Sequence, residues 1–339
     1  IVEQEDSTDI LELSGCTHVL PLKQRLGEYL ANRVSAGLGT ADLLGSYDVL
    51  QIAEFSVRNG PLEGLAVRET RLRERTGLNI VGVWHRGRLQ PAFPGTRLAA
   101  DSIVVVVGLA EQLRALEELL ETPPPSDAPI IVIGAGTVGE AATKALKAKG
   151  ATVHVVERDP QLQSRLQTIA DQVFVGDAND REVLREAGLE DAPSVLLSTN
   201  DDAVNVYLAV YCRRLKPDLR ISSRITHDRN LEAIHRAGAD FALSYSALGA
   251  EAVLSVIAGH PIVILGEGVD LFSMRLPARL ENVRLADSGI GSKSGLSVVA
   301  VRQAGELVTQ LHSEMLLRSG AELVMFGSVQ QRRAFVEAF

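Results

Sequence analysis

The stretch "PIIVIGAGTVGEAATKAL", Pro129–Leu146, decides how this chain is read. Four β-branched residues run without alternation into a glycine, as in a strand buried on both faces that ends at a tight turn. Gly134, Gly136 and Gly139 then follow in the order G-x-G-x-x-G, and a helical pattern opens. The first glycine permits the turn. The second lets backbone N–H groups approach a pyrophosphate, and the third lets helix and strand close up. The helix N-terminus adds about half a positive charge for the phosphates. G-x-G-x-x-G alone is a weak signal, equally compatible with a tight turn that holds nothing. Its place between a strand and a helix gives it weight.

Outward from this stretch, strands and helices alternate on a short period. Strand-like runs are 130–134, 152–157, 172–176, 194–199, 219–225 and 241–244, and helical patterns cover 137–149, 160–170, 180–188, 202–215, 228–237 and 245–258. That alternation predicts an α/β fold with a doubly wound, parallel, Rossmann-like sheet. Glu157 ends the second strand 18 residues past Gly139, where a carboxylate accepts hydrogen bonds from the adenosine ribose. Such an acid repels a 2′-phosphate and disfavours NADP. The adjacent Arg158 works the other way, or is a solvated surface charge. Asp177 and Ala178 follow the third strand, at the expected adenine edge. Thr199, Asn200, Asp201 and Asn205 follow the fourth, at the switch point, where they would ring the second half of a dinucleotide. Asp201 reads equally as an N-cap, with Asp202 as a first-turn acid. Arg224, on the fifth strand, reads as a phosphate partner or as half of a buried ion pair.

The bulk numbers set limits. The 339 residues suffice for two or three domains, and a 46% hydrophobic content supports a packed core. A net charge of −9 argues against a nucleic-acid partner, whose phosphates need a basic face. The longest apolar run, Ile103–Val107, is far below the roughly 18 residues of a membrane span and reads as a buried strand. Two cysteines without a C-x-x-C pair point to a reducing, cytoplasmic compartment. The chain starts at Ile1 with no signal-peptide pattern.

The flanks of the central unit repeat each other. "TGLNIVGVWHRGRL" (76–89) aligns with "SGLSVVAVRQAGEL" (294–307), with Gly77/Gly295, Leu78/Leu296, Val81/Val299, Val83/Val301, Gly87/Gly305 and Leu89/Leu307 identical. "LAADSIVVVVG" (98–108) aligns with "LRSGAELVMFG" (317–327) one residue further on. Strands hinged on glycines predict a smaller α+β, β-rich lobe present twice. Further back, "GCTHVLPLKQRLGEYL" (15–30) resembles "GADFALSYSALGAEAV" (238–253), a last strand and crossover helix. By that register the chain is expected to be the C-terminal part of a longer polypeptide, its first nucleotide-binding unit present only as a tail; the alternative is a divergent N-terminus that mimics the repeat. The expected divisions are 1–45 (that tail), 46–120 (first small lobe), 121–128 (a proline-rich linker), 129–258 (the nucleotide-binding unit) and 259–339 (second small lobe).

These blocks resemble the RCK family, regulators of potassium conductance, which includes Trk-type uptake regulators and the cytosolic parts of ligand-gated potassium channels. "VIGAGTVGEAATKAL", "VHVVERDP", "FVGDANDREVLREAGLEDA", "LSTNDDAVN" and "ISSRI" are similar to successive parts of its nucleotide-binding lobe. "PLEGLAVRETRLRERTGLNIVGVWHRGRLQPAFPGTRLAADSIVVVVG" resembles its C-terminal lobe, and "LELSGCTHVLPLKQRLGEYLANRV" its last strand and crossover helix. The resemblance implies two tandem RCK units, self-association into RCK dimers and a ring of eight units, and a membrane pore on the same or a partner chain. It places the region on the cytoplasmic face of the cell membrane. It implies a bound NAD or NADH, with ATP or ADP as alternatives. Many relatives carry Arg between the second and third glycines, where this chain has Thr137 and Val138, and Glu157 stands where Asp is common. Before Ser294 the second small lobe follows the family pattern poorly.

Chemistry separates a sensor from an enzyme. A dehydrogenase needs a general acid–base over the nicotinamide, and the seven histidines are scattered, with His154 and His235 placed on a strand and a helix face. Duplicated lobes suit assembly and allostery. The expectation is therefore no enzyme but a regulatory region that couples an adenine nucleotide to a potassium pore through the crossover helix 245–259. A soluble Trk-type subunit and an NAD-dependent oxidoreductase are the alternatives. "EQED" (3–6) and "LEDA" (189–192) are candidates for a divalent-cation site, or solvated surface.

Overall fold

The computed structural model describes residues 8–35, 41–58, 60–85, 88–100, 102–120, 128–258 and 269–339. They fall into two compact units, one drawn from Ile1–Leu38 and Pro123–Ala258, the other from Gly39–Thr122 and Gly259–Phe339. In chain order, α1 (Thr8–Leu13) and α2 (Leu22–Ser35) come first. A small lobe follows: β1 (Asp42–Tyr47), β2 (Leu50–Ser56), α3 (Val67–Thr70), α4 (Leu72–Thr76), β3 (Asn79–His85), β4 (Arg88–Pro91), β5 (Ile103–Gly108) and α5 (Ala110–Leu120). The central unit contains β6 (Ile130–Ile133), α6 (Thr137–Ala148), β7 (Val153–Glu157), α7 (Gln163–Leu166), β8 (Gln172–Val175) and α8 (Arg181–Glu186). It continues through β9 (Ser194–Leu197), α9 (Asp202–Leu215), β10 (Arg220–Ile225), α10 (Leu231–Arg236), β11 (Phe241–Ser244) and α11 (Tyr245–Ala258). Last come β12 (Val269–Arg275), α12 (Ile290–Ser294), β13 (Ser297–Gln303), β14 (Glu306–Val308), β15 (Glu322–Ser328) and α13 (Val329–Ala338).

The central sheet has the order β11-β10-β9-β6-β7-β8, and every pair in it is parallel. Chain order reverses between β6 and β9, which makes the switch point of a doubly wound sheet. Ile130–Ile133 and Ser194–Leu197 are buried throughout, because helices cover both faces. On one face Ile131, Val195, Leu197 and Ile221 pack with Leu184 of α8, Leu208 and Cys212 of α9 and Ile234 of α10. On the other lies α6, with Val138, Ala142 and Leu146 buried at helical spacing.

Beside α6 lies α2, over β9, β10 and β11. Leu22, Leu26 and Leu30 recur every four residues and are no more than 1% exposed. The two helices cross very closely. A Cβ at Gly27 would overlap the Val138 carbonyl and stand 2.8 Å from the Ala141 methyl, so only glycine fits. Further along, the Ser194 hydroxyl donates to the Val34 carbonyl at 3.0 Å, and the Arg33 guanidinium lies 4.2 Å from the centre of the Phe241 ring. Both contacts sit at strand beginnings, so α2 runs beside α6 in the same direction, from the carboxyl ends of the strands to their starts. The segment thus folds as part of the central unit.

The smaller lobes have antiparallel sheets, β1-β2-β5-β3-β4 and β12-β15-β13-β14. Their equivalence extends beyond identical residues. Thr70 and Ser288 each donate at 2.7 Å to the carbonyl three residues back, from Val67 and Leu285. Thr76 and Ser294 each donate four residues back, to Leu72 and Ile290. Gly64 and Asn282 share positive φ, and the amides of both donate to a buried leucine carbonyl, of Leu98 and Leu317, at 2.7 Å. The second lobe, whose sequence follows the family pattern poorly before Ser294, thus repeats contacts of the first over 278–294 through interchangeable hydroxyls and left-handed positions.

Two expectations change. Residues 16–21 form no strand and join none of the three sheets of the described residues. The helix expected over 160–170 is instead a 3-10 turn, Pro160–Leu162, capped by Asp159, followed by α7, which passes into hydrogen-bonded turns after Leu166. The "EQED" segment and most of the proline-rich linker lie outside the described residues.

Candidate nucleotide site

The carboxyl ends of β6, β7, β9 and β10 bring most of the predicted residues together. Gly134 takes φ +88°, in the left-handed region, and its amide donates to Val156 at 2.9 Å. A Cβ there would stand 3.1 Å from the Thr199 amide nitrogen. A Cβ at Gly139 would overlap the Gly134 carbonyl and stand 2.7 Å from the Ser198 hydroxyl. These two glycines are demanded by the protein itself.

Gly136 differs. Its φ of −65° and ψ of −174° are open to any residue, and a Cβ on it would meet nothing within 4 Å. It is the N-cap of α6 and supplies no side-chain cap to the first-turn amides, those of Thr137, Val138 and Gly139 among them. What a side chain at Gly136 would occupy is the space in front of those amides and the positive end of the helix dipole. Thr137 is exposed there; Val138 is buried and packs against α2.

Glu157 points into this loop. One carboxylate oxygen accepts from the Ala135 amide at 2.6 Å and the other from the Asp159 amide at 2.9 Å. Each oxygen keeps lone-pair capacity for a hydroxyl. The acid therefore fixes the loop and can still hold a ribose. Arg158 is exposed beside it. After β8, exposed Asp177 accepts from the Asn179 amide at 2.9 Å in its own turn, while Ala178 is buried in the core cluster. At this edge a base would meet backbone and the rim of that turn.

The switch-point residues divide. Asn200 is exposed after β9. Asp201 caps α9, accepting from Ala203 at 2.8 Å and Val204 at 3.3 Å, which is the capping alternative. Asn205 was expected to touch a ligand, and the structure corrects this. It is fully buried, accepts from the Thr199 hydroxyl at 2.7 Å, and donates to the carbonyls of Thr199 at 3.0 Å and Arg224 at 3.1 Å. With both amide protons used, it braces the ends of β9 and β10 behind Thr199. Arg224 is 7% exposed and donates to the Thr226 hydroxyl at 3.2 Å.

Sequence reasoning missed the role of Asp202. It accepts from the Thr226 amide at 2.6 Å, the His227 amide at 3.2 Å and the Asn230 side chain at 2.6 Å, tying α9 to the turn after β10. Burial alone would raise its carboxyl; the hydrogen bonds from Asn230, Thr226 and His227 outweigh that and hold it below the ordinary value. The doubled acid Asp201–Asp202 was the available signal, since one helix start needs only one cap. Among the described residues no group of three or more His, Cys, Asp or Glu is placed to hold a metal ion, Glu190 and Asp191 of "LEDA" included. Among them, too, no helix is long and apolar enough to cross a membrane.

Residues 130–245 match the TrkA-N domain and residues 52–121 the TrkA-C domain. Potassium channel protein 1 of Methanocaldococcus jannaschii is 23% identical over 211 residues, 59% of this chain and 63% of that protein. The crystal structure of the GsuK RCK domain superposes with a TM-score of 0.66 at 31% identity, covering 99% of this chain and 73% of that one. The GsuK channel bound to NAD gives 0.64 at 31% identity, covering 99% and 61%. The chain spans less than two thirds of the length of the curated relatives it matches.

Proposed function

The chain belongs to the RCK family of potassium-transport regulators, and from that premise we propose that it is the nucleotide-sensing part of a potassium channel, with NAD, NADH or another adenine nucleotide seated at Gly134–Gly139 and Glu157. The observation that carries the reading is Gly136, a glycine the protein does not need for its own packing, standing before unclothed helix amides. Gly134, Gly136, Thr137, Val138 and Gly139 offer backbone to the diphosphate, Glu157 holds the adenosine ribose, and the turn at Asp177 and Ala178 borders the base. Thr199, Asn200 and Arg224 line the switch-point end, positioned by Asn205 and Asp201. The GsuK channel that superposes on the whole chain was solved with NAD bound, which supports the choice of ligand.

Such a ligand acts by its unequal affinity for two conformations, typically about 1–3 kcal/mol per site. Several sites in one assembly add, and a ring of RCK units, paired and eight in number at the cytoplasmic face of the membrane, would sum them on a pore. The test is calorimetric titration of NAD, NADH, ADP and ATP into the wild type and Glu157→Ala. The reading expects at least one of the four to bind the wild type, and about tenfold or greater weakening in the variant, from loss of charge-assisted ribose bonds and of the loop anchor. Equal affinity in the two proteins removes the ribose assignment.

A further inference from the structure

The cradle is short of positive charge. Residues 134–139 read Gly-Ala-Gly-Thr-Val-Gly, and the next residue, Glu140, is an acid held by Lys144 at 3.2 Å and Arg165 at 3.0 Å. A diphosphate brings roughly two negative charges, against the half charge of a helix end. Of the cations at the strand ends, Arg158 stands exposed on the ribose side, and Arg224 is buried and bonded to Thr226.

Another cation arrives from the other copy of the repeat. Helix α2 lies against α6 with Gly27 pressed on Val138, in the first turn of the cradle helix. Because the two helices run in the same direction, the turn of α2 before Gly27 lies level with the chain before Val138, which is the glycine loop. Lys23 occupies that turn. It is four residues before Gly27, on the same face, about 6 Å nearer the carboxyl ends of the strands. Helical side chains lean toward the helix N-terminus, here toward the phosphate position. Lys23 is half-buried. The first turn of α2 has no acid, and Lys23 within it adds its charge to the positive end of the helix dipole. A lysine supplies an anion with a mobile point charge.

We infer that Lys23 is a phosphate-binding residue of the nucleotide site, delivered by the helix of the first repeat to the cradle of the second. This rests on the reading of the cradle given above. The bound diphosphate then bridges the two repeats, and its affinity depends on how α2 is seated on α6. The contact is not repeated in α11, where the register of 15–30 with 238–253 sets Ala250 at the place of Gly27, and the neighbouring Gly249 faces Leu22 of α2.

The test uses the full 339-residue chain with NAD, ADP and adenosine as probes. Lys23→Ala should weaken NAD and ADP about three- to tenfold, as expected for one partly screened charge. It should leave adenosine binding where it was and make NAD binding less salt-dependent. Lys23→Arg should restore most of the loss, and both variants should melt within a few degrees of the wild type. If Lys23→Ala binds NAD and ADP as the wild type does while Glu157→Ala loses them, the cradle stands and the role of Lys23 is overturned. An equal loss for adenosine would also overturn it, by marking a disturbance of packing. A wild type that binds neither NAD nor ADP overturns the cradle reading and this inference with it.

Discussion

The three glycines of the cradle and four of those in the duplicated lobes look alike in sequence and differ in what surrounds them. In the lobes, Gly77 and Gly108 close on the side chain of Gln112, and Gly295 and Gly327 close on that of Gln331. Each glutamine in turn accepts a backbone amide, of Leu109 at 2.8 Å and Ser328 at 2.7 Å. Every one of these glycines is filled by protein, and the arrangement occurs twice because it is architecture. In the cradle, Gly134 and Gly139 are likewise filled, by Thr199, Ser198 and backbone, but Gly136 faces open space. A glycine that protein atoms crowd is there for the fold. Gly136, which nothing crowds at the uncapped start of a twelve-residue helix, is in the proposed reading there for the nucleotide.

The sharpest way to break this comparison is Gly139→Ala. The new methyl would overlap a backbone carbonyl that has nowhere to move, so a loss of about 3 kcal/mol or more is expected in denaturant unfolding. Gly327→Ala sharpens it. There the neighbours are the ends of the Leu296 and Gln331 side chains, which can turn aside, and about 1–2 kcal/mol is expected. Equal losses at the two sites would show that the cradle is no more rigid than the lobes.

Much of this was legible in the sequence. The unbroken β-branched runs gave the parallel strands, and the spacing of Gly134, Gly136, Gly139 and Glu157 gave the loop in which these residues meet. What stayed hidden depends on distant partners. Asn205 reads as ligand or brace until the Arg224 carbonyl, 3.1 Å from its amide, is known. The docking of α2 joins Gly27 to Val138 across more than a hundred residues, and no local pattern reports it. Before Ser294 the second lobe follows the family pattern poorly, and its likeness to the first over 278–293 lies in hydroxyls and left-handed positions, as in Thr70 and Ser288, rather than identities.

A smaller effect separates the regions by pH. The lobes are clamped by neutral glutamines, whereas Asp202 clamps the central unit as a carboxylate. Its folded value lies below the ordinary one, so its contribution is complete above the ordinary carboxylate range and is lost as pH falls through the folded value. Asp202→Asn should therefore destabilise by about 1–2 kcal/mol at neutral pH, with the gap to wild type closing in acid. Unfolding midpoints between neutral pH and about pH 3 check this; a gap that stays constant would show that charge is not what holds the turn after β10.

The most direct measurement is on Gly136→Val, followed by unfolding midpoint and by NAD titration together. The space and backbone angles at this position predict a protein within about 1 kcal/mol of the wild type whose nucleotide affinity falls at least tenfold, because the side chain stands where the diphosphate must approach the amides. A variant that folds equally well and binds NAD as tightly as the wild type would contradict the account.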